Sequence, residues 1–286
     1  MIAEGPNAEQ IRYWNETSGP KWVQLQEFLD AHIESLGRVA MDRLAPASGE
    51  VVLEIGCGCG STTLELARRV GPSGHVVGID ISAVMLDRAR ELAGQRGADN
   101  VRFENADAQT HAFAPASFDA LYSRFGVMFF AAPEAAFANL RAALRAGGRV
   151  GFVCWRAVTE NPWMMVPMMA ALQHVQFPPP PPPGAPGPFS FADADRVRAV
   201  LVAAGFESVT VDPHDEKVRL GGSIPLDQAV EFVLQMGPTG SALREVAPEV
   251  RDRVAVAVRE ALTPYETPLG VEMDAAVWIV SARNRV

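Results

Sequence analysis

Three alternating glycines, Gly56, Gly58 and Gly60, follow an apolar strand that we predict over Val51–Ile55. A helix is predicted to begin near Ser61, so the glycines occupy a strand-to-helix turn. Glycine permits unusual backbone angles there and lets a ligand approach the main chain without meeting a side chain. The pattern therefore predicts a nucleotide-like ligand, and a tight turn without a ligand is the less favoured alternative.

The spacing of these glycines separates two classes of ligand. Dinucleotide sites use G-x-G-x-x-G and direct a helix N-terminus at a pyrophosphate, whereas this loop reads G-x-G-x-G. Glu54, just before the loop, would repel a pyrophosphate but can attract the ammonium group of a methionine moiety directly or through water. The residues therefore favour S-adenosylmethionine (SAM) over NAD, and an NAD(P)-dependent oxidoreductase is supported only by similarity at the level of the fold.

A second anchor is Asp80, at the end of a strand predicted over His75–Ile79. A carboxylate in this position can accept both hydroxyls of a ribose, in NAD and SAM sites alike. Capping of the next helix is the alternative role, although Ser82 competes for it. Ile81 and Met85 are predicted to offer apolar surfaces to an adenine ring.

Two more strand ends meet the same crevice, because the carboxyl ends of parallel strands share one sheet edge. Asp107 and Ala108 follow the third strand and can contact the exocyclic amine and a ring nitrogen of adenine. Ser123 ends the fourth strand on the cofactor side. Arg124 and Phe125 come next and are predicted to face the substrate, with a structural ion pair as an equal alternative for Arg124.

The pattern from Glu50 to Trp155 alternates short β-branched runs with amphipathic segments, which is typical of βαβ units and a parallel sheet. We predict an α/β, Rossmann-like sheet with flanking helices, an N-terminal helical segment over Ala8–Leu44, and a helical cap after the fifth strand. The predicted strands are Val51–Ile55, His75–Ile79, Val101–Asn105, Phe118–Ser123, Arg149–Trp155, Ser208–Asp212 (continuing after a bulge over Lys217–Leu220) and Val271–Ala282. The predicted helices are Ser61–Val70, Val84–Gln95, Pro133–Leu144, Ala192–Ala204, Pro225–Gln235 and Pro248–Leu262.

These elements predict four regions. Residues 1–48 cover the cofactor site, 49–156 form the SAM-binding core, 157–206 form a substrate cap, and 207–286 complete the sheet and the cap. The cap includes a Met-rich stretch, Pro162–Val175, and the proline run Pro178–Pro183, which we interpret as a stiff polyproline loop.

The core motifs resemble those of class I SAM-dependent methyltransferases, especially small-molecule enzymes like the ubiquinone/menaquinone C-methyltransferases. The carrying residues are Val52–Gly60, Gly78–Ser82, Asn105–Ala108, Ser117–Ala120 and Leu144–Arg149. The resemblance implies a seven-stranded sheet with an antiparallel last strand and an aromatic N-terminal segment, with Tyr13 and Trp14, folded over the cofactor. Ala146 departs from the family's usual proline before the two glycines.

Methyl transfer requires chiefly that an acceptor be held near the methyl group away from water. A hydroxyl acceptor often needs a base as well, and His174, at the end of the Met-rich helix, is the candidate catalytic residue; a surface or capping role is the alternative. Trp163 and Met168 are candidate substrate contacts, because methionine adapts readily to large apolar ligands. Packing of the helix in the core explains them equally well.

Composition excludes other classes of function. The net charge of -9, with no run of Lys and Arg, argues against nucleic acid and anionic membranes as partners. The three cysteines provide neither a disulfide framework nor a zinc site, so no metal is predicted, and the N-terminus lacks a signal-like segment. We expect a cytoplasmic methyltransferase acting on a small, apolar or aromatic acceptor, with the oligomeric state left open and a homodimer as the candidate assembly. A catalytically inactive SAM-binding regulatory or partner protein is the alternative.

Overall fold

A computed structural model describes residues 2–182 and 184–285 of the chain. Its helices are α1 (Ala8–Arg12), α2 (Ser18–Gln24), α3 (Gln26–Leu44), α4 (Ser61–Val70), α5 (Ala83–Arg96), α6 (Pro133–Ala143), α7 (Pro162–Ala171), α8 (Ala194–Ala203), α9 (Leu226–Val233), α10 (Gly237–Ala242) and α11 (Pro248–Leu262). Its strands are β1 (Val51–Ile55), β2 (His75–Asp80), β3 (Val101–Asn105), β4 (Phe118–Arg124), β5 (Leu144–Trp155), β6 (Glu207–Arg219), β7 (Glu266–Thr267) and β8 (Gly270–Arg283).

The main sheet has the strand order β3-β2-β1-β4-β5-β8-β6, and the short strand β7 pairs with β8. The first five strands pair in parallel, whereas β8 is antiparallel to both β5 and β6. The predicted Rossmann-like α/β sheet and its antiparallel last strand are therefore confirmed. In this order, the chain reverses direction across the sheet between β1 and β4, which is where open α/β sheets bind ligands.

The sixth strand differs from its prediction. We expected a break after Asp212, but β6 continues through Pro213 to Arg219, and its register shifts between Glu207 and Thr210 instead. Ser208, within that irregularity, has a φ of 53°. Pro213 is tolerated because β6 forms an edge of the sheet, where a missing N–H group costs no ladder bond.

The N-terminal segment is more divided than the helical periodicity indicated. A single turn of π-helix, Tyr13–Thr17, separates α1 from α2, and α3 then carries the buried residues Ile33 and Leu36 to the sheet. Two elements were not predicted, namely α10 and the two-residue strand β7.

The interior contains two large apolar clusters. One fills the sheet and its flanking helices, and the second lies beside it among α3, α7, α9, α11 and β8. We call this second cluster and its helices the cap. Its helices come from three separate parts of the chain: α3 precedes β1, α7 lies between β5 and β6, and α9 and α11 follow β6. Of the helices in the described residues, none is long and apolar enough to cross a lipid bilayer.

Candidate active site

The glycine loop lies between the carboxyl end of β1 and the start of α4. Gly56, Gly58 and Gly60 all have positive φ values, of 68°, 55° and 83°. A Cβ atom on Gly56 would lie 2.8 Å from the Cα of Gly126, and one on Gly58 would lie 2.9 Å from the Cε of Met85. The loop is therefore a cradle of bare backbone that side chains would fill, as the glycine spacing predicted.

Asp80 is fastened to this cradle by its own carboxylate. One oxygen accepts a hydrogen bond from the N–H of Gly58 at 2.8 Å, and the other accepts one from the N–H of Ser82 at 2.8 Å. The two carboxylate oxygens have four lone pairs between them, so the carboxylate keeps acceptor capacity beyond its bonds to the backbone. Ser82 caps α5 through a bond from the N–H of Met85, which leaves Asp80 available for a pair of ribose hydroxyls.

Glu54 lies at the end of β1 and is completely buried. Its two oxygens accept hydrogen bonds from the hydroxyls of Thr62 and Thr63 in the first turn of α4. Burial raises the pKa of Glu54 to about 7, although these two bonds oppose the shift. A buried carboxyl of this kind favours a cation beside it, which fits the ammonium group for which we assigned it.

The predicted adenine contact Asp107 already has a partner. The side-chain amide of Asn7 donates to both of its oxygens, at 2.9 and 2.8 Å, and the N–H of Gln109 donates a third bond at 2.9 Å. The side-chain oxygen of Asn7 accepts a hydrogen bond from the N–H of Ala131. Asn7, which no sequence pattern singles out, therefore ties the N-terminal segment across this end of the sheet. Ala108 is buried beside Asp107.

The aromatic residues of the N-terminal segment lie at the same edge. Trp14 contacts Tyr13, Trp22 and Phe129 edge-on, with ring centroids 5.1–5.7 Å apart. The carbonyl oxygen of Trp14 accepts a bond from the hydroxyl of Ser82, next to Asp80 and Ile81.

Asn15 holds the segment a second time. Its side-chain amide donates to the carbonyl of Ile81 at 2.9 Å, and its side-chain oxygen accepts from the N–H of Ala83 at 2.9 Å. The segment thus lies over the end of β2, and its covering of the cofactor, which the family resemblance implies, stays a prediction.

At the end of β4, Ser123 and Arg124 bond to neighbouring protein groups, whereas we predicted contacts with cofactor and substrate. The Ser123 hydroxyl donates to the carbonyl of Ile55 and accepts from the N–H of Gly126, so it joins β1 to the turn after β4. Arg124 donates to Asp30 at 2.7 Å and to Ser61 at 3.2 Å. Of the two roles considered for Arg124, the structure shows the ion pair.

Phe125 begins a series of aromatic contacts that leads away from the glycine loop. Its φ is 60°, a left-handed angle that is uncommon outside glycine. Its ring stacks on Trp155 at 4.2 Å, with an interplanar angle of 12°, and Trp155 lies 5.1 Å from Trp163 in α7. The indole N–H of Trp163 donates to Asn161. We call Phe125, Trp155 and Trp163 the aromatic series.

His32 continues this series into the cap, and our sequence analysis did not name it. Its ring lies 4.4 Å from Trp163 and 5.7 Å from Phe232, and it is only 1% exposed. The sequence signal that could have found it is its spacing: His32 lies four positions after Phe28 and four before Leu36, so it is a polar residue on the apolar face of a helix.

The predicted catalytic residue His174 lies elsewhere. It follows the end of α7 and is exposed. The Met-rich stretch also does not form one wall, because Met164 is buried whereas Met169 is 54% exposed. Met168 is half-buried between these extremes. The structure therefore places His32, rather than His174, against Trp163.

The thiols of Cys57 and Cys59 lie inside the glycine loop, and both are free and buried. Burial, with Asp80 nearby, raises the pKa of Cys57 well above its ordinary value, and burial raises the pKa of Cys59 to about 12. Both thiols are thus protonated packing groups at neutral pH.

Comparison with known proteins agrees with this geometry. Residues 52–148 match the family model described as a methyltransferase domain. The chain is 38% identical over 117 residues to the aklanonic acid methyltransferase DauC of a Streptomyces species, covering 41% of this chain and 53% of that protein. It is 30% identical over 210 residues to the O-methyltransferase cnsE of Penicillium expansum, covering 73% of this chain and 68% of that protein. The match to DauC thus spans about half of that relative's length.

More distant relatives extend the match. A ubiquinone/menaquinone biosynthesis C-methyltransferase of Pseudomonas paraeruginosa is 25% identical, covering 80% of this chain and 92% of that protein. The crystal structure of the YcgJ protein of Bacillus subtilis superposes with a TM-score of 0.58 at 17% identity, covering 89% of this chain and all of that one, which shows a shared fold. This chain belongs to the class I SAM-dependent methyltransferases. The cradle, the free lone pairs of Asp80 and the buried Glu54 fit that cofactor.

Proposed function

We propose that this protein transfers a methyl group from SAM to a small apolar or aromatic molecule. The aromatic series carries this proposal, because it begins beside the glycine loop and enters the cap. Gly126, next to Phe125, lies against Gly56, and Trp155 and Trp163 continue from there. Flat apolar ligands bind well against such rings. The relatives named for aklanonic acid and for O-methylation support a small-molecule acceptor.

The residues of the cradle would hold the cofactor in a fixed position. The backbone of Gly56 and Gly58 would receive its amino-acid part, with Glu54 near the ammonium group, and Asp80 would accept the ribose hydroxyls. When bound, SAM supplies an electrophilic methyl group on a positively charged sulfur. The chain's contribution is then to align the acceptor with that methyl group and to exclude water.

A binding experiment and a transfer experiment test this proposal together. Calorimetry should show binding of SAM and no comparable binding of NAD, and the Trp163→Ala variant should raise the KM for aromatic acceptors while leaving SAM affinity unchanged. Binding of NAD without SAM would contradict the proposal. Binding of SAM with no transfer to any phenol, amine or activated-carbon acceptor would favour the inactive, regulatory alternative.

A further inference from the structure

His32 lies on α3 with one ring nitrogen engaged by the backbone. Its Nδ1 is 2.9 Å from the carbonyl oxygen of Arg219, at the end of β6. A carbonyl oxygen can only accept, so Nδ1 must carry the hydrogen and donate it. In the neutral ring, Nε2 is then a hydrogen-bond acceptor that carries a lone pair.

The ring is neutral at physiological pH. Burial lowers the pKa of His32 from 6.5 to about 4, although the bond to the Arg219 carbonyl opposes the shift. The acceptor character of Nε2 is therefore a permanent property of the folded chain at neutral pH.

This Nε2 atom has no hydrogen-bond partner among residues 2–182 and 184–285. Leaving a buried acceptor unpaired costs free energy, so native proteins rarely do it without a reason. Three other buried side-chain atoms in that part of the chain also lack a partner, on Gln10, Arg156 and Glu216. Those three residues are half-buried, whereas His32 is buried almost completely.

The surroundings of His32 determine which donor suits it. Its ring contacts Trp163 and Phe232 and lies at the cap end of the aromatic series. These neighbours can hold a flat apolar body but provide no carboxylate for an ammonium group. A neutral molecule with one O–H group satisfies Nε2 and leaves no second polar hydrogen buried without an acceptor.

We propose that Nε2 of His32 accepts the O–H hydrogen of a phenol-like methyl acceptor and takes up its proton during transfer. This inference rests on the proposed function and deepens it, because it makes the acceptor atom oxygen. His32 is then the catalytic base, and Trp163 holds the ring of the acceptor.

A lone pair of the acceptor oxygen forms the new C–O bond, the S–CH₃ bond breaks, and its electron pair stays on sulfur to give S-adenosylhomocysteine. The O–H proton moves to Nε2, and the imidazolium returns it to water after the product leaves. A weakly basic imidazole is sufficient, because the oxygen becomes strongly acidic as it bonds to the methyl carbon.

Two substitutions separate this role from a structural one. His32→Asn retains an amide donor near Nδ1 for the Arg219 carbonyl but removes the acceptor at Nε2. His32→Gln extends a carbonyl oxygen toward the Nε2 position, which accepts a hydrogen bond but takes up no proton. His75→Asn is the matched control, since His75 begins β2 at the opposite end of the sheet.

The kinetic test uses naphthol and hydroxyanthraquinone as acceptors, with naphthylamine as the amine counterpart. We expect His32→Asn to lower kcat for the phenols by about 10²- to 10⁴-fold, the usual contribution of a general base, with SAM affinity unchanged. His32→Gln should retain the KM for the phenols at a low kcat, and His75→Asn should match the parent protein. An undiminished kcat in His32→Asn, or preferential methylation of naphthylamine, overturns the proposal.

Imidazole nitrogen NMR tests the same idea without turnover. With S-adenosylhomocysteine bound, Nε2 of His32 should be unprotonated, and its resonance should move on addition of naphthol but not of methoxynaphthalene, which lacks the O–H group. A protonated Nε2, a resonance that naphthol does not move, or one that methoxynaphthalene moves equally, overturns the proposal. Failure of SAM to bind in calorimetry would instead contradict the proposed function, so the two failures are distinguishable.

Discussion

The cofactor side and the acceptor side of this molecule satisfy their polar groups in different ways. In the glycine loop and at the end of β2, the carboxylates of Glu54 and Asp80 each accept hydrogen bonds from groups on neighbouring segments. In the cap, His32 has one nitrogen engaged and one without a partner in the described residues. On our proposals, the first arrangement would hold the cofactor in place, whereas the second would leave one buried nitrogen for the methyl acceptor to satisfy.

The largest expected effect is a loss of SAM affinity on the cofactor side, at Asp80. Asp80→Ala removes two charged acceptors of ribose hydroxyls, so SAM binding should weaken by about 3 kcal/mol or more, roughly 100-fold. Calorimetry with SAM measures the change. Asp87→Ala is the control, because Asp87 lies on the next helix and pairs with Arg90 at the surface. A dissociation constant unchanged by Asp80→Ala would remove the ribose assignment.

The pH dependence of stability should show the two sides opposing each other. Because the pKa of Glu54 is raised to about 7 in the folded state, the folded chain holds this proton at pH values where the unfolded chain has released it. The free energy of unfolding therefore falls as the pH rises from 4.5 to 7. Because the pKa of His32 is lowered to about 4 in the folded state, the unfolded chain takes up a proton at this histidine at a higher pH than the folded chain does. The free energy of unfolding therefore falls as the pH falls from 6.5 to 4. Each shift changes the free energy of unfolding by about 3–4 kcal/mol over its pH range, at about 1.4 kcal/mol per pKa unit. Where the two ranges overlap, the changes have opposite signs and nearly cancel.

Denaturant titrations across this pH range should therefore reveal opposite slopes in two variants. Relative to the parent protein, Glu54→Gln should become more stable as the pH rises, and His32→Asn should become less stable. In the double variant, the change in stability with pH should differ little from that of the parent protein. Parallel slopes in the two single variants would contradict the assigned directions.

A smaller effect sharpens the distinction between backbone strain and ligand contact. Alanine at Gly58 must adopt a left-handed angle, at a cost of about 1–2 kcal/mol of folding stability, and its Cβ would also press on Met85. Gly97→Ala is a matched control, because φ there is 60° and nothing lies within 4 Å of the added atom. Both variants should lose similar stability in thermal unfolding, but only Gly58→Ala should lose SAM affinity. Equal SAM affinities would show that the loop does not contact the cofactor at Gly58.

The smallest effect concerns the join between the two sides. Arg244, after α10, lies 5.5 Å above the ring of Tyr13 and donates to its hydroxyl at 3.3 Å. Because the pair is exposed, Arg244→Ala should lower the free energy of unfolding by only about 0.5–1 kcal/mol. We also expect a modest increase in the SAM dissociation rate, measured by stopped flow. Arg253→Ala, an exposed arginine on α11, is the control. A SAM dissociation rate that stays unchanged would mean that Tyr13 does not help to retain the cofactor.

The same contrast explains what sequence alone predicted. The strands of the core and the positions of Gly56, Gly58 and Asp80 follow from local patterns, because turns and strand ends impose their chemistry on adjacent residues. Asn7 meets Asp107 across 100 positions, and His32 meets Arg219 across 187. Such pairs depend on how α1 and α3 pack, and no spacing within the chain reveals them. His174 was chosen for its place near the Met-rich helix, but that helix ends before it.

The buried thiols of the glycine loop have a practical consequence for experiments on motion. Cys57 and Cys59 are protonated and enclosed, and Cys154 is also completely buried, so alkylating reagents meet no reactive native thiolate in the folded chain. A single cysteine introduced at the exposed Glu16 would then accept a fluorophore selectively. Its emission would follow the N-terminal segment in real time as cofactor enters and leaves.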